Sequence, residues 1–306
     1  MSTYNIPTMA EMAAKGESPE ILFWVGCAGS FDDRYKSVTK AFVKILNKVG
    51  VSFAVLGQEE SCTGDPARRA GNEFLFQMQA MSNIQVFEGY NVKKIVTACP
   101  HCFNTLKNEY PALGGNYEVI HHSTFLQQLI DEGKVKPADG QAFKGQKITY
   151  HDSCYLGRAN NVYEAPRRVL EALDTELVEM KRCKTNGLCC GAGGAQMFKD
   201  SEPGTKEINV ERTEEALETG AKIIASACPS TLGATNPTFS EPSLLIADPK
   251  MTAWIWSPWA SASSSRFSTT TPVPLPKTVP FASASNARTC PSGERMLPFT
   301  KWYPRG

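Results

Sequence analysis

The feature that most constrains the fold is a set of cysteines that occurs twice at nearly the same spacing. Cys27, Cys62 and Cys99 recur as Cys154, Cys189 and Cys228, at offsets of 127, 127 and 129 residues. The sequence around the third cysteine repeats as well, since Lys94-Ile-Val-Thr-Ala-Cys-Pro100 resembles Lys222-Ile-Ile-Ala-Ser-Ala-Cys-Pro229. This period is too long for a solenoid, so the pattern indicates the duplication of one structural unit.

Short apolar runs precede the cysteines, and stretches with one-sided helical periodicity separate them. The predicted strands are Ile21–Val25, Val51–Leu56, Lys93–Ala98, Tyr117–His121, Gly145–Asp152, Thr175–Met180 and Ala221–Ala227. The predicted helices are Lys36–Val49, Phe125–Ile130, Val162–Leu173 and Ile208–Thr219. A further helix is predicted after Cys62, with Asp65 as its N-cap and Pro66 as its first residue. Its predicted core side carries Phe74, Met78 and Met81. The alternation predicts an α/β fold of two similar, mostly parallel halves.

We predict three regions along the chain. Residues 1–140 form a first cysteine-rich repeat and residues 141–228 a second, followed by an irregular tail over 229–306. The tail holds 12 of the 20 prolines and 4 of the 5 tryptophans, and the helix and strand periods vanish there. We interpret it as an altered reading frame or other aberrant end that begins after Pro229; a natural disordered linker is the alternative.

Charge and hydropathy exclude several classes of protein. A net charge of +1 without a basic run argues against nucleic-acid binding. Residues 1–20 lack the apolar core of a secretory signal. No apolar stretch approaches the roughly 20 residues that a membrane helix requires. We therefore predict a cytoplasmic protein without a transmembrane segment.

Ten cysteines in a reducing compartment favour metal ligation over disulfides. The carboxyl ends of parallel strands meet at one edge of a sheet, so cysteines that follow strands should meet there. The candidate metal- and cofactor-binding residues are Cys27, Cys62, Cys99, Cys102, Cys154, Cys189, Cys190 and Cys228. No catalytic residue is assigned.

The segment Asn186–Ala195 contains two adjacent cysteines among glycines. Adjacent side chains on a strand point to opposite faces, so Cys189 and Cys190 can share one centre only if the backbone bends sharply there, which glycine permits. Bare backbone N–H groups in such a turn also favour negatively charged sulfur. The pair Cys99 and Cys102 alone is weak evidence for any one kind of site, because such pairs bind zinc, bind iron-sulfur clusters or take part in redox chemistry.

Four thiolates suit either zinc or an iron-sulfur cubane. One hypothesis is therefore an iron-sulfur electron-transfer protein. The alternative is a zinc-stabilised interaction module without redox activity, and packing thiols or a disulfide pair also stay open.

The order Cys, Cys-Cys-Gly and Cys-Pro-x-Cys, over about residues 20 to 230, resembles the cysteine-rich CCG domain. This domain occurs in tandem in iron-sulfur subunits of heterodisulfide reductase, glycolate oxidase and anaerobic glycerol-3-phosphate dehydrogenase, and in lactate-utilisation iron-sulfur proteins. The resemblance implies an iron-sulfur electron-transfer subunit of an oxidoreductase, with one or two 4Fe-4S clusters. It also implies flavin- or ferredoxin-type redox subunits as partners, which would carry out substrate oxidation and provide any membrane association. In the heterodisulfide reductase branch, it further implies noncubane clusters at which disulfides are cleaved.

The chain departs from that pattern once in each half. The first half has Cys62-Thr63-Gly64 in place of Cys-Cys-Gly, and Thr231 stands where the second half would match Cys102. A threonine hydroxyl is a poor ligand for a soft metal, so each half keeps four of five cysteines and the second cluster is in question. Because no dinucleotide-type GxGxxG follows a strand, we expect flavin or nicotinamide on another subunit.

Overall fold

The computed structural model describes residues 5–136, 143–200 and 203–234. Its strands are β1 (Ile21–Trp24), β2 (Phe53–Ala54), β3 (Lys94–Thr97), β4 (Glu118–His121), β5 (Lys147–His151), β6 (Glu176–Leu177) and β7 (Ile223–Ser226). Its helices are α1 (Met9–Ala14), α2 (Gly26–Phe31), α3 (Asp33–Val49), α4 (Asp65–Arg69), α5 (Glu73–Gly89), α6 (Pro100–Asn104), α7 (His122–Asp131), α8 (Glu164–Glu171), α9 (Ile208–Glu218) and α10 (Pro229–Ala234).

The strands form two parallel sheets of matching topology. One sheet has the order β2-β1-β3-β4, and the other has the order β6-β5-β7. In each sheet the first strand lies between the second and the third, with Leu22 opposite Ile95 in one and Ile148 opposite Ile223 in the other. The predicted α/β class and the internal duplication are therefore confirmed. Within the described residues, β4 has no counterpart in the second sheet.

The central strands are buried on both faces, as expected for parallel sheets that are covered by helices. Every residue of β1 is buried, and Phe23 and Trp24 are fully enclosed. One apolar cluster contains Leu22 from the first sheet together with Ile148 and Ile223 from the second. The two sheets therefore share a core, and all described residues fall in one compact unit.

Two of the edge strands, β2 and β6, are shorter than predicted. Val51–Leu56 contributes only β2, and Thr175–Met180 contributes only β6. Both strands lie at sheet edges and pair on one side only, as do the longer strands β4 and β7.

The structure corrects two details of the predicted helices. The residue that caps α4 is Gly64, at φ +88°, and Asp65 is the first helical residue. On α5 the predicted core side was wrong, because Phe74, Met78 and Met81 are 76%, 54% and 53% exposed. The buried residues of α5 are Phe76, Ala80, Asn83, Ile84 and Phe87. Apolar residues surround this helix on several faces, so its periodicity does not identify the buried one.

The predicted tail begins with helix α10, which covers residues 229–234. The rest of that prediction, including the aberrant reading frame, concerns residues 235–306 and lies outside the described residues. Across the part of the chain that the structure describes, the helices are too short or too polar to traverse a bilayer.

Candidate metal centre

The four cysteines of the first half lie where β1, β2 and β3 lead into helices. Cys27 is the second residue of α2, and Cys62 precedes α4. Cys99 caps α6, and Cys102 lies within that helix. All four line one cavity of about 320 Å³. The carboxyl ends of the parallel strands thus bring together cysteines that are distant in the sequence.

Hydrogen bonds join these sulfurs in pairs. The Cys62 thiol donates to Cys27 and lowers the pKa of Cys27 to about 6, while the pKa of Cys62 is raised. Cys99 and Cys102 form a second pair. The Thr63 hydroxyl, next to Cys62, donates to the Cys102 sulfur at 3.9 Å and links the two pairs. We call Cys27, Cys62, Cys99 and Cys102 the first sulfur group.

The turn that carries Cys27 is fixed by a buried carboxylate. Glu60 accepts hydrogen bonds from the backbone N–H groups of Val25, at 3.1 Å, and Gly26, at 2.5 Å. Burial raises the pKa of Glu60 to about 7. Gly26 has φ +76°, and a Cβ there would lie 3.5 Å from the Cys102 sulfur, so the backbone packs directly against this sulfur. Sequence reasoning did not identify Glu60.

The second half repeats this arrangement with Cys154, Cys189, Cys190 and Cys228, which we call the second sulfur group. Cys154 follows β5 and Cys228 follows β7. The thiols of Cys154 and Cys190 both donate to Cys189, and these hydrogen bonds lower the pKa of Cys189. The hydrogen bond to Cys189 and burial raise the pKa of both Cys154 and Cys190, and the charge on Cys228 raises it further.

Backbone N–H groups point at the sulfurs of both groups, as predicted for the glycine-rich turn. Gly64 donates to Cys62 at 3.5 Å, and Gly191 donates to Cys189 at 3.4 Å. The pKa of Cys228 is lowered despite burial, in part because two backbone N–H groups of α10 donate to its sulfur. Such donors stabilise thiolate charge in a site from which water is largely excluded. Gly191 has φ +80°, so its turn favours glycine.

A buried ion-pair network supports the loop that carries Cys189. Asp152 binds Arg167 through two hydrogen bonds of 2.9 Å, and both side chains are almost fully buried. Arg167 also pairs with Glu179 at 2.6 Å. The second oxygen of Asp152 accepts the backbone N–H of Lys184 at 2.6 Å. This network joins the end of β5 to the segment that leads into Cys189, and no sequence motif pointed to it.

The residues fit an iron-sulfur cluster by chemistry and number. The nine described cysteines are free, and each sulfur group offers four of them, the donors that such clusters use. Among the described residues, no three His, Cys, Asp or Glu side chains are placed to hold a single metal ion. Cys183 lies outside both groups, half-buried near Glu179 and Asp152.

Thr231, at the position equivalent to Cys102, is buried beside the second sulfur group. Its backbone N–H donates to the Cys228 sulfur. Its hydroxyl oxygen has no hydrogen-bond partner among the described residues. The second half therefore presents a threonine side chain where the resemblance implies a fifth cysteine.

Comparison with known proteins agrees with this geometry. Residues 21–107 and 148–232 both match the model of the CCG cysteine-rich domain. The chain therefore belongs to the CCG cysteine-rich domain family, in a tandem arrangement.

Curated relatives are iron-sulfur and redox proteins. The probable iron-sulfur-binding oxidoreductase FadF of Bacillus subtilis is 50% identical over 229 residues, which is 74% of this chain and 32% of the relative. The EtfAB:quinone oxidoreductase of Syntrophomonas wolfei is 48% identical over 223 residues, 71% of this chain and 31% of the relative. One subunit of the dihydromethanophenazine:CoB–CoM heterodisulfide reductase of Methanosarcina barkeri is 36% identical over 223 residues, 70% of this chain and 52% of the relative. The chain thus spans about a third to a half of the length of these relatives.

Proposed function

We propose that this chain is the iron-sulfur electron-transfer part of an oxidoreductase. The observation that carries the proposal is the assembly of eight cysteines, drawn from loops of both repeats, into two sulfur groups. The names of the relatives support it, because they describe iron-sulfur-binding and quinone- or heterodisulfide-linked oxidoreductases.

In this proposal the first sulfur group holds one 4Fe-4S cluster and the second sulfur group holds another. When bound, such a cluster accepts and donates single electrons. The protein supplies the thiolates and directs backbone N–H groups at the sulfurs. Hydrogen bonds to the sulfurs and burial are the means by which a protein sets the potential of such a centre.

We further propose that substrate oxidation takes place on a partner that carries flavin, or a ferredoxin-type centre, in the cytoplasm. The name of the Syntrophomonas wolfei relative, EtfAB:quinone oxidoreductase, supports redox partners of this kind, since it names a protein partner and a quinone. The exposed fraction of Cys27 and the open cavity beside it provide a point at which electrons can enter.

Anaerobic purification with iron and sulfide quantification tests the proposal. We expect a brown protein that bleaches with dithionite and holds about four irons for each filled centre. The double variant Cys99→Ser with Cys102→Ser should lose the iron of the first centre, and Cys154→Ser with Cys189→Ser that of the second. Cys183→Ser is the matched control and should keep all iron. A colourless protein that binds zinc would instead support the interaction module.

The cavity favours direct disulfide reduction as a second candidate. It contains all four sulfurs of the first group and is lined by Phe31, Met197 and Phe198, which are largely exposed. Reduction of a disulfide to two thiols takes up two electrons and two protons, so the assay needs an electron donor such as a reduced viologen dye. A turnover rate that disappears in Cys27→Ser but not in Cys183→Ser would favour this candidate over a pure relay.

A further inference from the structure

His101 lies between Cys99 and Cys102 of the first half, and its ring is held in one orientation. Its Nδ1 donates to the Asp65 carboxylate at 3.0 Å, and both side chains are buried. Arg69 donates to the other oxygen of Asp65 at 3.1 Å. Asp65 follows Cys62, so the loops of the first half fix the ring from one side.

The other side of the ring faces the second half. His101 lines the same cavity as Pro229 and Ser230, the two residues that follow Cys228. Its ring centroid lies 4.5 Å from that of Tyr155, the residue after Cys154. A Cβ on Gly193, in the turn that follows Cys190, would lie 3.0 Å from Cε1 of His101. One side chain from the first half therefore packs against the loops of Cys154 and Cys190 and shares a cavity with the loop of Cys228.

We propose that His101 is a positioning residue that couples the two centres: its Nε2–H donates to the Cys228 sulfur, while its backbone connects two ligands of the first centre. The proposal rests on the proposed function. A hydrogen bond to a ligand sulfur withdraws electron density and raises the reduction potential of the centre. The effect is larger in a buried site, where water cannot replace the donor.

Asp65 is the second residue on which this proposed link between the two centres depends. Because its carboxylate accepts from Nδ1, the remaining ring nitrogen carries the other proton position and faces the second half, where a Cβ on Gly193 would lie 3.4 Å from it. Loss of the carboxylate should therefore change the second centre even though Asp65 contacts no cysteine of the second half. The link also gives a reason for the close approach of Gly193, since a side chain there would displace the ring.

The test uses the full chain with the first centre removed by Cys27→Ser, so that only the second centre titrates. In that background His101→Phe removes the donor, whereas His101→Gln retains an N–H group. We expect the midpoint potential of the second centre, measured by EPR-monitored redox titration, to fall in His101→Phe at equal iron content. It should recover in part in His101→Gln and fall in Asp65→Asn. An unchanged potential in His101→Phe at full iron content overturns the proposal.

A second measurement does not depend on how the variants fold. Wild-type protein labelled with ¹⁵N-histidine should show a nitrogen hyperfine coupling in the EPR spectrum of the reduced second centre. The absence of this coupling in a protein that carries both centres overturns the link but leaves the proposed function intact. A wild-type protein that carries no iron-sulfur cluster refutes the proposed function itself and the link with it.

Discussion

The hydroxyl oxygen of Thr63 lies 3.9 Å from the sulfur of Cys102. Thr63 occupies the place of a second cysteine in the family pattern, and it is buried. We predict that Thr63→Val leaves iron content unchanged, because the hydroxyl is a poor ligand for iron, but lowers the reduction potential of the first centre. A redox titration measures this shift. Thr149→Val, which alters a buried threonine of β5, is the matched control, and loss of iron in Thr63→Val would show that Thr63 holds the cluster.

Thr231 gives the corresponding prediction for the second half. Its buried hydroxyl has no hydrogen-bond partner among the described residues, so a thiol at this position breaks no hydrogen bond of the side chain. We expect Thr231→Cys to add a ligand and slow the release of iron from the second centre to a chelator. Comparison with Thr231→Ser separates the effect of sulfur from that of lost volume. Equal release rates in the wild type and Thr231→Cys would contradict the prediction.

The buried pair of Arg167 and Asp152 should contribute strongly to stability. In Arg167→Met the Asp152 carboxylate is left buried without its cation, a change that costs about 3–5 kcal/mol in proteins. Anaerobic urea denaturation measures the free energy of unfolding. The control is Lys144→Met, which breaks an exposed pair with Asp174 and should cost about 1 kcal/mol or less. Equal losses in the two variants would rule out a structural role for the buried network.

Two buried histidines should make the protein sensitive to acid. Burial lowers the pKa of His121 to about 3 and that of His122 well below its ordinary value. Histidines of the unfolded chain titrate near about 6.5, so the unfolded state binds more protons as the pH falls. The contribution of the two histidines to the free energy of unfolding is therefore fully present above about pH 6.5. It is lost as the pH falls towards 3, by at most about 1.4 kcal/mol per pH unit for each histidine.

Urea denaturation at pH 7.5, 6.5 and 5.5 measures that dependence. The ring centroids of His122 and Phe42 lie 6.0 Å apart in an edge-on arrangement, and His122→Phe keeps an aromatic ring there. This variant should reduce the slope of the free energy of unfolding against pH, below pH 6.5, by the contribution of about one proton. A slope identical to that of the wild type would show that His122 does not titrate on unfolding.

Sequence alone determined the duplication, the α/β class and the positions of the cysteines after strands. Strand and helix periods are local properties, and the carboxyl ends of parallel strands meet at one edge, so the gathering of Cys27, Cys62 and Cys99 followed without coordinates. In the motif Cys-Pro-His-Cys, His101 lies between two of the predicted ligands.

Tertiary structure alone decided which groups contact those cysteines across the molecule. Asp65 was predicted as a helix cap, yet it binds His101, whose ring packs against Tyr155 in the other half. Likewise, only the packing of α5 shows that Phe76 is buried while Met78 is exposed. The physical reason is the same in each case. Spacing along one element fixes its own conformation, whereas hydrogen bonds and burial between elements depend on how two sheets from distant segments come together around a shared core.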